Sequence, residues 1–195
     1  MDRRFNVAGT CIPENHFMAD TSDKIDRIVR LIEQDSYFVM NRARQYGKTT
    51  TLMLLWRRLK ERYIVINTSF EGMGSEAFGT EDTFVRRICS RFARGLRMSG
   101  YHEAQGKLWD TFAPEENLDT LKERITAFCA QADREVLLFI DEVDKSTDNQ
   151  MFLNFLGLLR ELYLERAFGT VTFKSVILRY QKFEDKISAG RREKV

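Results

Sequence analysis

The run Tyr37-Phe38-Val39-Met40-Asn41-Arg42-Ala43-Arg44-Gln45-Tyr46-Gly47-Lys48-Thr49-Thr50 decides how the rest of the chain is read. It opens with four apolar residues that stop at Asn41, the pattern of a short strand buried on both faces. It closes on Gly-Lys-Thr-Thr, after which Leu52, Leu55, Trp56 and Leu59 recur at helical spacing. A polar loop set between a buried strand and a helix, and ending in Gly-Lys-Thr, has the length and ending of a phosphate-binding loop. In that arrangement the backbone N–H groups around Gly47 face the phosphates. Lys48 reaches the β- and γ-phosphates and the Thr49 hydroxyl binds magnesium. Arg42 stands where the usual pattern has its first glycine, so the loop is expected either to enter with ordinary dihedrals or to bind less well.

Outward from this run, strands and helices alternate. Ile25, Ile28, Val29 and Ile32 predict a helix, with Asp20, Thr21, Ser22 and Asp23 supplying capping oxygens ahead of it. Residues 63–67 read as a second strand, followed by a glycine-punctuated loop over 69–80. Two amphipathic helices follow, one through Phe84, Val85, Ile88, Cys89, Phe92 and Leu96, the other through Leu118, Leu121, Ile125, Phe128 and Cys129. Val136-Leu137-Leu138-Phe139-Ile140 is the clearest strand. A helix through Phe152, Phe155, Leu156, Leu159, Leu162 and Tyr163 precedes a fourth strand over 171–178. Such alternation predicts an α/β fold with a mostly parallel sheet covered on both faces.

The third strand ends abruptly at Asp141-Glu142. Parallel strands of one sheet end on the edge that carries the phosphate loop, so an acidic pair there can meet the same metal. Asp141 is then the magnesium ligand, and Glu142 polarises the water that attacks a γ-phosphate. Gly-Lys-Thr alone is a common accident, and an acidic residue after a strand is ordinary turn chemistry. Their order on the right predicted elements favours a nucleotide site. The candidate nucleotide-binding set is Arg44, Gln45, Tyr46, Gly47, Lys48, Thr49 and Thr50, with Lys48 and Glu142 as catalytic groups and Thr49 and Asp141 on the metal.

Composition narrows the alternatives. With 195 residues, 43% of them hydrophobic, the chain is long enough for one ordinary domain and too apolar for intrinsic disorder. Its apolar runs fall far short of the roughly 20 residues needed to cross a bilayer. The N-terminus leads into no export signal, so the cytoplasm is the expected compartment and no membrane partner is expected. Cys11, Cys89 and Cys129 are widely spaced and suggest neither zinc nor redox chemistry. The net charge of +2 comes from residues 179–195, which hold six basic and three acidic side chains, and is poor support for a nucleic-acid partner. Arg87, Arg91 and Arg94 form a helical stripe that could touch nucleic acid or a neighbouring subunit, although such stripes are more often simply solvated.

A family resemblance rests on several runs taken together: Phe5-Asn6-Val7-Ala8-Gly9, Cys11-Ile12-Pro13-Glu14, His16-Phe17-Met18-Ala19-Asp20, Asn41 through Thr50, Ser69-Phe70-Glu71-Gly72 and Asp141-Glu142-Val143-Asp144. Over residues 5 to about 178 the chain resembles the bacterial predicted AAA-ATPase-like family, some of whose members carry a C-terminal nuclease-like domain. The resemblance implies a three-layer P-loop NTPase fold with ATP and magnesium as ligands, an arginine-rich Walker A loop, a Walker B strand ending at Asp141, and hydrolysis in intact relatives. It also implies that the stretch 13–20 lies near the adenine. It divides the chain into a nucleotide-proximal segment and helix (1–35), an AAA-like core (36–178) and a basic tail (179–195) that departs from the family pattern. On this reading the chain is truncated, with the fifth strand and helical lid missing. The family's strand order of five, one, four, three, two would then leave the phosphate-loop strand at a sheet edge.

The resemblance leaves two function classes open: an ATPase, and a non-hydrolytic ATP-binding switch or impaired remnant. A homo-oligomer, and an arginine finger from a neighbour, stay open with no residue to name.

Overall fold

A computed structural model describes residues 3–6, 10–41, 48–101, 106–143 and 149–180. Four strands form one parallel sheet: β1 (Tyr37–Asn41), β2 (Ile64–Ser69), β3 (Val136–Asp141) and β4 (Ser175–Tyr180), in the order β1-β4-β3-β2. The helices among the described residues are α1 (Ser22–Glu33), α2 (Lys48–Leu59), α3 (Glu81–Met98), α4 (Gly106–Asp110), α5 (Leu118–Gln131) and α6 (Gln150–Glu165). None of them is long and apolar enough to cross a membrane.

Strand alternation sorts the side chains into three layers. Val65, Leu137, Phe139 and Ile177 point to one face and pack with Ile25, Ile28 and Ile32 of α1 and Leu52, Leu55 and Leu59 of α2. Ile64, Ile66, Leu138, Ile140, Val176 and Leu178 point to the other, where α3, α5 and α6 bring Phe84, Phe92, Phe128, Phe152 and Phe155. Every residue of β3 is buried, which is why this strand reads as an unbroken apolar run.

The fourth strand is displaced from its expected span of 171–178. Ser175 pairs with Leu137, and Lys174 donates its N–H to the Val136 carbonyl, where β3 begins. Residues 171–173 overhang that start and have no strand to pair with among the described residues, so their β-branched content does not make them strand, although Phe173 packs into the core against Phe92. At its far end β4 continues through Arg179, opposite Met40, and Tyr180, opposite Asn41. Short elements beyond the expected ones are present too, among them a 3-10 turn at Arg166–Phe168. Part of the glycine-punctuated stretch folds as a 3-10 turn at Ser75–Phe78, and α4 carries the buried Trp109 between Phe92 and Phe128.

The β2 edge is covered rather than open. Ser99 donates its hydroxyl to the Val65 carbonyl, and Arg91 donates to the carbonyls of Ser69 and Glu71. The close approach of α3 that permits this depends on Gly95: a Cβ there would lie 2.8 Å from the Asn67 carbonyl oxygen and 3.2 Å from Ile66 Cγ2. Alanine gains about 1 kcal/mol over glycine within a helix. Forcing an atom into a packed backbone contact costs about 1–3 kcal/mol. The clash is with backbone and cannot rotate away, so Gly95→Ala is expected to lower the urea midpoint of unfolding. An unchanged or higher midpoint would show that α3 can lift off β2 at no cost.

A buried ion pair between Glu116 and Arg124 braces the start of α5, and a hydrogen bond from the Glu116 backbone ties it to the start of α3. Glu116 accepts from the Ala113 N–H at 2.6 Å, the Thr120 hydroxyl at 2.7 Å and the Arg124 guanidinium at 2.5 Å. Its N–H in turn donates to Asp82. Burial opposes ionisation of Glu116, but these donors outweigh it and hold its pKa below the ordinary 4.5. A carboxyl lowered in this way stabilises the fold above its unfolded pKa, and the contribution fades as pH falls through the folded value. The stability gap between the native chain and Glu116→Gln is therefore expected to be widest near neutral pH and to shrink below pH 4.5. Urea melts at pH 7 and pH 3 measure it, and a gap independent of pH would rule out this role.

Candidate nucleotide site

The site lies at the C-terminal edge of the sheet on the α2 face, and strand parity places it there. Phe139 and Ile177 belong to the α2-facing core, so Asp141 and Arg179, each two residues further along, extend that face to the rim. Thr49 reaches the same point from the first turn of α2. Arg179 Nη1 donates to Thr49 Oγ1 at 2.5 Å, and its guanidinium forms ion pairs with the carboxylates of both Asp141 and Glu142. Thr49, Asp141 and Glu142, from remote parts of the chain, are thus gathered around a single cation.

Burial differs among the members. The Arg179 side chain is 4% exposed, that of Asp141 13% and that of Glu142 32%. Burial pulls the Arg179 pKa below the ordinary arginine value, while Asp141 and Glu71 oppose the shift. Arginine nonetheless keeps its charge in proteins. Glu142 has φ 53°, left-handed for a residue with a side chain, and its N–H donates to Asp141 Oδ1 at 2.8 Å. Backbone of this kind costs on the order of 1–3 kcal/mol and is retained where surrounding structure enforces it.

Of the sequence-derived candidates, Lys48 opens α2 and Thr49 and Thr50 follow in its first turn. Arg44, Gln45, Tyr46 and Gly47, with Arg42 and Ala43, lie outside the described residues, as do Asp144 and Lys145. Thr50 accepts the Cys11 N–H at 3.1 Å, Lys24 Nζ donates to Thr51 Oγ1 at 2.7 Å, and Arg57 pairs with Glu14 at 2.6 Å. These three bonds lay the N-terminal segment and α1 along α2. His16 accepts the Ile12 N–H on its Nδ1 at 2.9 Å and is buried as part of that segment's own fold.

Arg179, expected at the head of the basic tail, is the residue that joins this cluster without being among the sequence-derived candidates. The available signal was alternation: it falls two positions after Ile177, on the face that carries Asp141. The arginine stripe resolves unevenly. Arg91 is held by the carbonyls at the end of β2, with its pKa lowered by burial and by Arg94 and Arg87. Arg91 and Arg94 wall a cleft of about 360 Å³ that reaches Ser69, Glu71 and Asp141.

The model of the AAA-like domain family matches residues 12–179, a span that runs from the docked N-terminal segment to Arg179. The chain belongs to the AAA-like domain family. No curated protein matches it. For an AAA-like domain the parallel sheet, with α2 opening beside the ends of β3 and β4, is the expected frame, and membership supports the general assignment of a nucleotide-binding P-loop NTPase.

The family implies magnesium, and the donor set of this AAA-like domain suits it. A hydroxyl and carboxylates are hard oxygen ligands of the kind magnesium takes. That one guanidinium reaches Thr49, Asp141 and Glu142 together means a single cation can serve all three.

Proposed function

We propose that this AAA-like domain binds ATP with magnesium and hydrolyses the γ-phosphate. The observation that carries the reading is the convergence of Thr49, Asp141 and Glu142 on one cation at the start of α2. Residues 44–47 would cradle the phosphates with backbone N–H groups, aided by the positive end of the α2 dipole. Lys48 would reach the β- and γ-phosphates, and Thr49 and Asp141 would hold the metal. Magnesium, when bound, would neutralise charge on the β- and γ-oxygens. Glu142 would orient a water for in-line attack: the water oxygen bonds to the γ-phosphorus as its proton passes to the Glu142 carboxylate, the bond to the β,γ-bridging oxygen breaks, and ADP and phosphate leave, the proton then returning to solvent or phosphate. The left-handed backbone at Glu142 supports a role for that position, since strain of this kind concentrates at working sites. The stretch 13–20, whose neighbourhood is tied to α2 through Cys11, Glu14 and Lys24, would border the adenine.

A second reading, ATP binding with little turnover, draws support from the ion pair between Arg179 and Glu142, which engages the carboxylate meant to orient water. Calorimetric titration of the purified chain with ATP, followed by a phosphate-release assay, tests both. Saturable binding with phosphate release supports the ATPase. Binding without release supports the switch, and no binding at millimolar ATP removes both.

A further inference from the structure

We infer that Arg179 is a built-in counter-cation that competes with magnesium for Thr49, Asp141 and Glu142. The inference rests on the nucleotide-site reading and goes beyond it, because it changes how the site is expected to respond to metal. A divalent ion needs the Thr49 hydroxyl and the Asp141 carboxylate as ligands. The Arg179 guanidinium already takes both, together with Glu142. Its extended planar charge suits the task, with Nη1 donating to Thr49 and the rest of the guanidinium beside the carboxylates of Asp141 and Glu142, whereas a lysine ammonium offers a single point of charge.

Three features make this more than a surface contact. Arg179 belongs to β4 and pairs with Met40 of β1, and the preceding Leu178 pairs with both Val39 of β1 and Ile140 of β3, so the side chain starts from a fixed backbone. Its own burial and that of Asp141 shield the pair from solvent screening, so the competition persists at physiological salt. The strained Glu142 backbone turns that carboxylate back to the rim where the guanidinium sits. A divalent ion reaches its ligands only after this side chain has been displaced. Metal affinity without nucleotide is therefore weak, and magnesium adds less to ATP binding than an undefended site would allow.

The experiment compares the native chain with Arg179→Met, using Mn²⁺ as the probe and electron paramagnetic resonance to count bound ion in the absence of nucleotide. Arg179→Met is expected to bind Mn²⁺ at least tenfold more tightly than the native chain, and Asp141→Asn in the same background is expected to remove the gain. Equal Mn²⁺ affinity in the native and Met chains, or a gain that survives Asp141→Asn, overturns the inference. Removing Arg179 leaves two carboxylates facing each other and can weaken the fold, so thermal melting with added Mg²⁺ is the second readout. Mg²⁺ is expected to raise the Tm of Arg179→Met by several degrees more than that of the native chain, and an equal response in both overturns the inference independently. A parallel titration with fluorescent mant-ATP separates the underlying reading: if neither chain binds it, the nucleotide assignment fails, while the Mn²⁺ comparison still decides the role of Arg179.

Discussion

Glu142→Gln is expected to abolish ATP turnover while leaving ATP affinity within about threefold of the native chain, since an orienting base contributes to the reaction and little to ground-state binding. The amide keeps the side chain's size and one acceptor oxygen but loses the negative charge that polarises water. General-base removal costs a factor of about 10² to 10⁴ in rate. A stability effect cannot mimic this outcome. The Glu142 side chain is one-third exposed, and the Arg179 guanidinium retains Asp141 and Thr49 when the Glu142 charge is lost. Rates of phosphate release at saturating ATP make the measurement, with affinity read by calorimetry. Undiminished turnover in the variant would take Glu142 out of the reaction. Loss of affinity in step with turnover would mean that it acts in binding instead.

Lys48→Ala is expected to weaken ATP binding by a factor of about ten to a hundred, the loss that follows from removing a charged hydrogen-bond donor worth roughly 1.5–3 kcal/mol. Fold stability is expected to hold. Lys48 stands in the first turn of α2, where a positive charge opposes the helix dipole, so its removal is neutral or favourable to the helix by a few tenths of a kcal/mol. Calorimetric titration together with a thermal melt separates the two effects. Native-like affinity in a folded variant contradicts both the ATPase and the switch readings, because both place the lysine on the phosphates.

Much of this frame could be read directly from the chain, for a physical reason. β3 and β4 are buried, so each appears as a short apolar run. β1, whose apolar run predicts burial on both faces, is instead an edge strand with Val39 half exposed, because only a covering neighbour buries such a run. The helices carry one apolar stripe apiece, but the caps are less legible: Thr21, at the N-cap of α1, makes no side-chain cap bond, whereas Thr80 and Asn117 cap α3 and α5. What escaped depends on partners rather than on local pattern. The start of β4 is set by where β3 begins, and the continuation to Tyr180 by pairing with β1. Trp109 occupies a helix too short to show a period, and only its contacts with Phe92 and Phe128 reveal it as core. Arg179 escaped because a charged residue after an apolar run reads as the end of a strand. Its meaning comes from three groups distant in sequence.

The AAA-like family match and the site geometry meet at the same residues. The matched span closes at Arg179, the residue whose guanidinium holds the carboxylates of the sheet edge. If Arg179 guards the metal ligands, the balance between hydrolysis and silent binding turns on how readily Mg·ATP displaces it. The two function classes then become points on one scale.

The most direct measurement is a crystal structure of the chain with magnesium and a non-hydrolysable ATP analogue. The account predicts the triphosphate at the start of α2, its terminal phosphate and metal between Thr49 and Asp141, and the Arg179 guanidinium withdrawn from at least one of them. A nucleotide bound elsewhere on the molecule, or a triphosphate out of reach of both Thr49 and Asp141, would contradict it.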